Sequence, residues 1–204
     1  MYINVKKSFT DDLIRIKYNK SETVASLSEI KHDIARECLN QVGLSNGIEV
    51  SSMADIPSGS GLGSSSTYTV GLLNALHNLK RDYFSLQDLA EEACKIEIDC
   101  LKKPMGKQDQ YLAAFGGFLV MNIDKDGSVK VTRANASPST LDNLNRNLLM
   151  FYTGENRQSQ NILLNQDNAT KKNESQVLES LHYIKESGYK ILEIVESGNI
   201  TELG

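Results

Sequence analysis

Residues 56–76 read IPSGSGLGSSSTYTVGLLNAL. Glycine and serine dominate from Ser58 to Ser66, and the stretch then turns apolar. The residues before it, GIEVSSMADI at 47–56, read as a strand, and 64–79 read as a helix. A glycine turn between a strand and a helix lets backbone N–H groups converge without side-chain obstruction. The helix start adds unpaired donors and the positive end of its dipole. The hydroxyls of Ser64, Ser65 and Ser66 add more. Such a turn suits a phosphate, and it would also serve as a plain glycine–serine cap on a helix.

Three familiar phosphate loops do not fit. A Walker A loop needs lysine after its last glycine, and here Ser64 follows Gly63. Gly59-Ser60-Gly61-Leu62-Gly63 is one residue short of the dinucleotide-binding turn. The strand valine and lysine that follow a protein-kinase glycine loop are missing.

Working outward, YINVKKSF (2–9) and LIRIKYN (13–19) read as two strands joined at Thr10-Asp11-Asp12. SLSEIKHDIARECLNQVGL (26–44) reads as a helix capped by Ser28 and ended by Gly43. SLQDLAEEACKIEIDCLKK (85–103) reads as another, with Ser85 and Asp88 as its start. GGFLVMNID and SVKVTRA form a hairpin around Lys125-Asp126-Gly127. Residues 137–147 read as linker with weak helical character, LLMFYTG (148–154) as a strand, and the chain from about Ser175 as a helix.

The 204 residues suffice for one domain or a compact pair with a real core. A net charge of −4 argues against non-specific nucleic-acid binding or a polybasic membrane role. No apolar run reaches membrane-spanning length. Cys38, Cys94 and Cys100 form no CxxC pair, so buried thiols in a reducing, cytoplasmic setting are expected. The histidines have no zinc-site spacing.

On a helical wheel of residues 86–101, Leu86, Leu89, Ala90, Ala93, Cys100 and Leu101 share one stripe, and Glu97 lies in its middle. A carboxylate there is costly without a cation or donors. It is either a metal ligand facing the loop or a residue left wet by a helix kink or a cleft-facing stripe. Asp109, in GKQDQY, is placed either to take a hydroxyl proton in phosphoryl transfer or to cap a helix. Lys107 is either a phosphate neutraliser or a surface lysine.

PSGSGLGSSSTYTVGLLNAL resembles the phosphate-binding signature of the GHMP kinases, through Pro57, Gly61, Leu62, Gly63, Ser64 and Ser65. Ser66 stands where alanine is commoner in that family. The resemblance implies that Pro57, Gly59, Gly61, Leu62, Gly63, Ser64, Ser65 and Ser66 wrap the ATP triphosphate. It further implies that Ser65 and Glu97 hold Mg²⁺ and that Asp109 is the catalytic carboxylate. LAEEACKIEID, GKQDQYLAAFGGF and FYTGENRQSQNIL extend the likeness to the branch acting on D-glycero-D-manno-heptose 7-phosphate. There Gly154 and Arg157 become sugar-site candidates with Asp109, and the implied reaction phosphorylates the anomeric hydroxyl to the 1,7-bisphosphate.

The implied fold is α+β: residues 1–137 as an ATP-binding N-terminal domain with a mixed sheet and packed helices, residues 138–204 as the start of a C-terminal domain. Both ends read as truncated against the family pattern. Self-association through an uncovered apolar face is a further expectation. A kinase for a fucose- or galactose-like sugar, or an inactive nucleotide-binding fragment, stand as the alternatives.

Overall fold

The computed structural model describes residues 1–56, 59–151, 159–172 and 174–203. It divides into two compact units, the first Met1–Phe115 with a short later stretch, the second drawn from the chain after Gly116. The architecture is the expected α+β mixture.

Four strands build the sheet of the first unit: β1 (Tyr2–Lys7), β2 (Ile14–Lys17), β3 (Ser21–Val24) and β4 (Ile48–Met53). Their order is β1-β4-β2-β3, with β2 parallel to β4 and the other pairings antiparallel. The first two strands of the chain are therefore not neighbours, because β4 inserts between them. The period of two explains the register. Ile14 lies opposite Ile48 and Ile16 opposite Val50, so one face carries a row of branched apolar side chains, all buried. β3 was not anticipated. Its SETV sequence is only partly buried and, among the described residues, pairs with β2 alone.

Three helices and a shorter one complete this unit: α1 (Asp33–Val42), α2 (Ser64–Lys80), α3 (Leu86–Cys94) and α4 (Gln108–Phe115). α1 ends at Gly43 as expected, with φ +73°. It starts later than expected, because a 3-10 turn at Leu27–Glu29 intervenes and His32, not Ser28, supplies the cap. The His32 ring accepts the Ala35 amide at 3.3 Å. Ser85 caps α3 as expected, accepting the Asp88 amide at 3.1 Å. α2 packs on α1, α3, α4 and β1. A methyl group built on Gly71 would lie 3.0 Å from Ile3 Cδ1, so glycine lets α2 come close to β1.

The second unit holds a hairpin, β5 (Leu119–Ile123) with β6 (Val129–Arg133), as expected, and α5 (Pro138–Asn147), α6 (Ser159–Lys171) and α7 (Ser175–Ser197). Residues 137–147 are a helix rather than a linker. Ser137 accepts the Thr140 amide at 3.0 Å and Pro138 fills the first turn. Leu148–Phe151 are not a strand. They are exposed, with no strand neighbour among the described residues to complete a ladder. On α7, Ile184 is 65% exposed, while Val195 is buried.

Candidate active site

The loop leaving β4 reaches α2 through glycines in the left-handed region, with φ of +80° at Gly59, +78° at Gly61 and +65° at Gly63. Gly63 is the N-cap of α2 and contributes no side chain to it. The first amides of a helix have no acceptor within it, so those at the start of α2 remain available to an outside anion. Thr67 returns its own amide and hydroxyl to the Gly63 carbonyl, at 2.9 and 3.0 Å. The Ser60 and Ser66 hydroxyl oxygens are buried and make no hydrogen bond among the described residues. Buried hydroxyls of this kind call for a partner. Pro57 lies outside the described residues, as do Gly154 and Arg157.

Glu97 reaches this loop by way of a π turn. α3 runs directly into Lys95–Cys100, where the ladder widens to a five-residue spacing, as in the Leu101 amide to Ile96 carbonyl bond of 2.9 Å. Such single turns inside α-helices are frequent at functional sites. The re-registration explains Cys100, which a straight wheel places on the buried stripe and the structure exposes; Cys38 and Cys94 are buried as expected. Burial pushes the Cys94 thiol up to about 12.

The Glu97 side chain is wholly buried, and both carboxylate oxygens are engaged. Oε1 accepts from the Ser65 hydroxyl at 2.5 Å and from Lys103 Nζ at 3.1 Å, and Oε2 accepts from Gln110 Nε2 at 2.8 Å. Lys103 Nζ also donates to Ser65 Oγ at 2.9 Å. Lys103 was not anticipated. A signal for it exists: a buried carboxylate requires a cation, and Pro104 ends any helix just after Lys103 and turns the chain back.

Asp109 lies in the first turn of α4. Its carboxyl carbon is 3.3 Å and its Oδ2 3.4 Å from the point where a Gly63 side chain would begin. The carboxylate thus rests against the start of α2, on ground only glycine leaves open. Lys107 is held elsewhere, by the Glu91 carboxylate at 2.8 Å. Glu91 also accepts from Tyr111 Oη, which in turn accepts from Gln87 at 2.7 Å. This set ties α3 to α4 on either side of Asp109. Partial burial raises the Glu91 carboxyl pKa, and the hydrogen bonds from Lys107 and Tyr111 outweigh that, leaving it below the ordinary value. Burial and the neighbouring carboxylate push the Tyr111 phenol up.

The structure therefore brings Ser65, Glu97, Gln110 and Lys103 together, and sets Asp109 beside Gly63. Among the described residues no group of three or more His, Cys, Asp or Glu gathers in metal-binding fashion. A divalent ion here would depend on the mixed donors Ser65 and Glu97. These are hard oxygens, 2.5 Å apart, of the type Mg²⁺ prefers.

Residues 28–117 match the family described as the GHMP kinases N terminal domain. This chain carries a GHMP kinase N-terminal domain. The domain takes in α1, β4, the glycine loop, Glu97 and Asp109. The D-glycero-alpha-D-manno-heptose 7-phosphate kinase of Campylobacter jejuni is 31% identical over 140 residues, covering 69% of this chain and 41% of that protein. The mevalonate kinase of Pyrococcus abyssi is 30% identical over 112 residues, 55% of this chain and 33% of that one. A crystal structure of a D-glycero-D-manno-heptose 1-phosphate kinase from Bacteriodes thetaiotaomicron superimposes with a TM-score of 0.77 at 22% identity, covering 97% of this chain and 61% of its own. That likeness is one of fold. The chain spans well under half the length of the curated relatives it matches. No helix among the described residues is long and apolar enough to cross a membrane.

Proposed function

We propose that the GHMP kinase domain described above belongs to an ATP- and Mg²⁺-dependent sugar kinase, acting on the anomeric hydroxyl of D-glycero-D-manno-heptose 7-phosphate. The observation that carries this reading is the meeting of both carboxylates with one helix start: Glu97 bonded to Ser65, Asp109 against Gly63. A kinase needs that convergence; a capped helix in a structural domain does not.

In this reading the amides and hydroxyls from Gly59 to Ser66 hold the triphosphate, and Pro57 is a proposed nucleotide-binding residue with them. Ser65 and Glu97 would hold Mg²⁺, whose charge would offset that building up between the β- and γ-phosphates. Asp109 orients the sugar hydroxyl and accepts its proton while the hydroxyl oxygen bonds to the γ-phosphorus. The bond from that phosphorus to the bridging oxygen breaks, and ADP leaves. The exclusion of water from Glu97 strengthens each of these interactions. Gly154 and Arg157 are proposed sugar-site residues, with the guanidinium suited to a bidentate grip on the 7-phosphate.

A panel of acceptors with labelled ATP tests the proposal. Heptose 7-phosphate should take label at C1 faster than heptose 1-phosphate, galactose, fucose or mevalonate. Faster labelling of mevalonate would favour the second reading, which the Pyrococcus abyssi relative supports. ATP binding with no transfer to any acceptor would favour a nucleotide-binding role alone. Absence of ATP binding would overturn the kinase reading.

A further inference from the structure

The Glu97 carboxylate already has a cation. Lys103 Nζ rests on Ser65 Oγ at 2.9 Å and on Glu97 Oε1 at 3.1 Å. These are the two oxygens assigned above to a divalent ion. Ser65 gives its single proton to Glu97 and accepts from Lys103, so a hydroxyl lone pair that a metal needs faces an ammonium group. Two positive charges within about 4 Å of each other repel in a buried site, so each disfavours the other at those oxygens.

The backbone is shaped to place the lysine there. Lys102 has φ +52°, a left-handed conformation disfavoured for a residue with a side chain. Beyond it the Lys103 amide donates to the Glu97 carbonyl at 3.0 Å. The Lys103 side chain is 15% exposed and that of Glu97 is 0% exposed, so of the two partners the lysine is the one that reaches solvent.

We infer that Lys103 is a resident counter-ion of the divalent site. It holds Ser65 and Glu97 in their binding positions while metal is absent, and it leaves them when a divalent ion enters. The inference rests on the reading of Ser65 and Glu97 as metal-holding residues. It makes Lys103 a positioning residue that sets how tightly a divalent ion binds.

The probe is Mn²⁺ alone, titrated into the full chain without nucleotide and followed by the electron paramagnetic resonance of the free ion. Lys103→Met should bind Mn²⁺ roughly tenfold more tightly than wild type, since both the competing charge and its neutralisation of Glu97 are gone. In chelator the variant should melt several degrees lower, and Mn²⁺ should close most of that gap. Affinity equal to or weaker than wild type, or a melting gap that Mn²⁺ leaves unchanged, overturns the inference and makes Lys103 an ordinary salt-bridge partner. Glu97→Gln separates the two levels. If it binds Mn²⁺ as well as wild type, the metal-site reading fails. If it loses Mn²⁺ while Lys103→Met is unchanged, only the inference fails. Should Lys103→Met not fold, the wild-type protein decides. Acetylation of Lys103, read by mass spectrometry, should rise several-fold on adding Mn²⁺; unchanged or reduced labelling overturns the inference.

Discussion

The Ser65 hydroxyl donates to the Glu97 carboxylate across 2.5 Å, joining the first turn of α2 to the π turn that follows α3. The two residues are 32 positions apart, yet the bond decides where the loop and the acid meet. Ser65→Ala removes a donor from a fully buried carboxylate, a loss of about 1–3 kcal/mol. Urea unfolding should show that loss with an unchanged slope. Phosphoryl transfer should also fall and need more Mg²⁺ for half-maximal rate. A variant with wild-type Mg²⁺ dependence would remove Ser65 from the metal-holding role.

Gly63→Ala is a second test. The new methyl group would begin 3.3 Å from the Asp109 carboxyl carbon, at a backbone φ of +65°. Strain of about 1–2 kcal/mol is expected, together with displacement of Asp109. Nucleotide affinity and turnover should both drop, which a fluorescent ATP analogue and a coupled assay read separately.

Asp109→Asn is nearly isosteric and removes the proposed proton acceptor. Turnover should fall by roughly two to four orders of magnitude. The Kd for ATP should stay within about threefold of wild type, a change of under 1 kcal/mol. Equal losses in binding and turnover would assign Asp109 to the loop's architecture instead.

The Glu91 cluster predicts a pH effect. Its carboxyl is held below the ordinary value of 4.5, with burial opposed and outweighed by Lys107 and Tyr111. The folded state therefore binds that proton more weakly than the unfolded chain does. The resulting stability is complete above pH 4.5 and fades as pH falls through the lower folded value. Glu91→Gln should flatten the acid limb of a stability–pH profile. A limb of unchanged steepness would show that Glu91 adds nothing to it.

The π turn can be read out through its cysteines. Cys100 is exposed, while Cys38 and Cys94 are buried. A thiol reagent should modify Cys100 in the native protein and all three residues only in denaturant. Native protection of Cys100 would argue for a straight helix there.

What could be read from the chain beforehand was what local chemistry encodes. Gly43 and Ser85 announce helix ends through backbone conformation and hydroxyl caps, and the glycine loop announces the start of α2. Glu97 stood out because a carboxylate on an apolar stripe demands an explanation. The sheet order was hidden because pairing β1 with β4 depends on contacts across the intervening chain. α5 was underread: its polar composition suggested a linker, while the Ser137 cap and Pro138 were the stronger signal. The π turn leaves no residue signature, so the exposure of Cys100 could not be foreseen. Lys103 was missed because its partner is defined by burial rather than spacing.

The placement of β4 between β1 and β2 has a consequence for synthesis. Among the described residues β1 pairs only with β4 in the sheet, so this strand leaves the ribosome well before that neighbour exists. At about 5–20 residues per second, that interval is on the order of seconds. During it, the edge of β1 destined for β4 stays unmatched and open to any chaperone or sister chain nearby, and the glycine loop after β4 can take its place only once that wait is over.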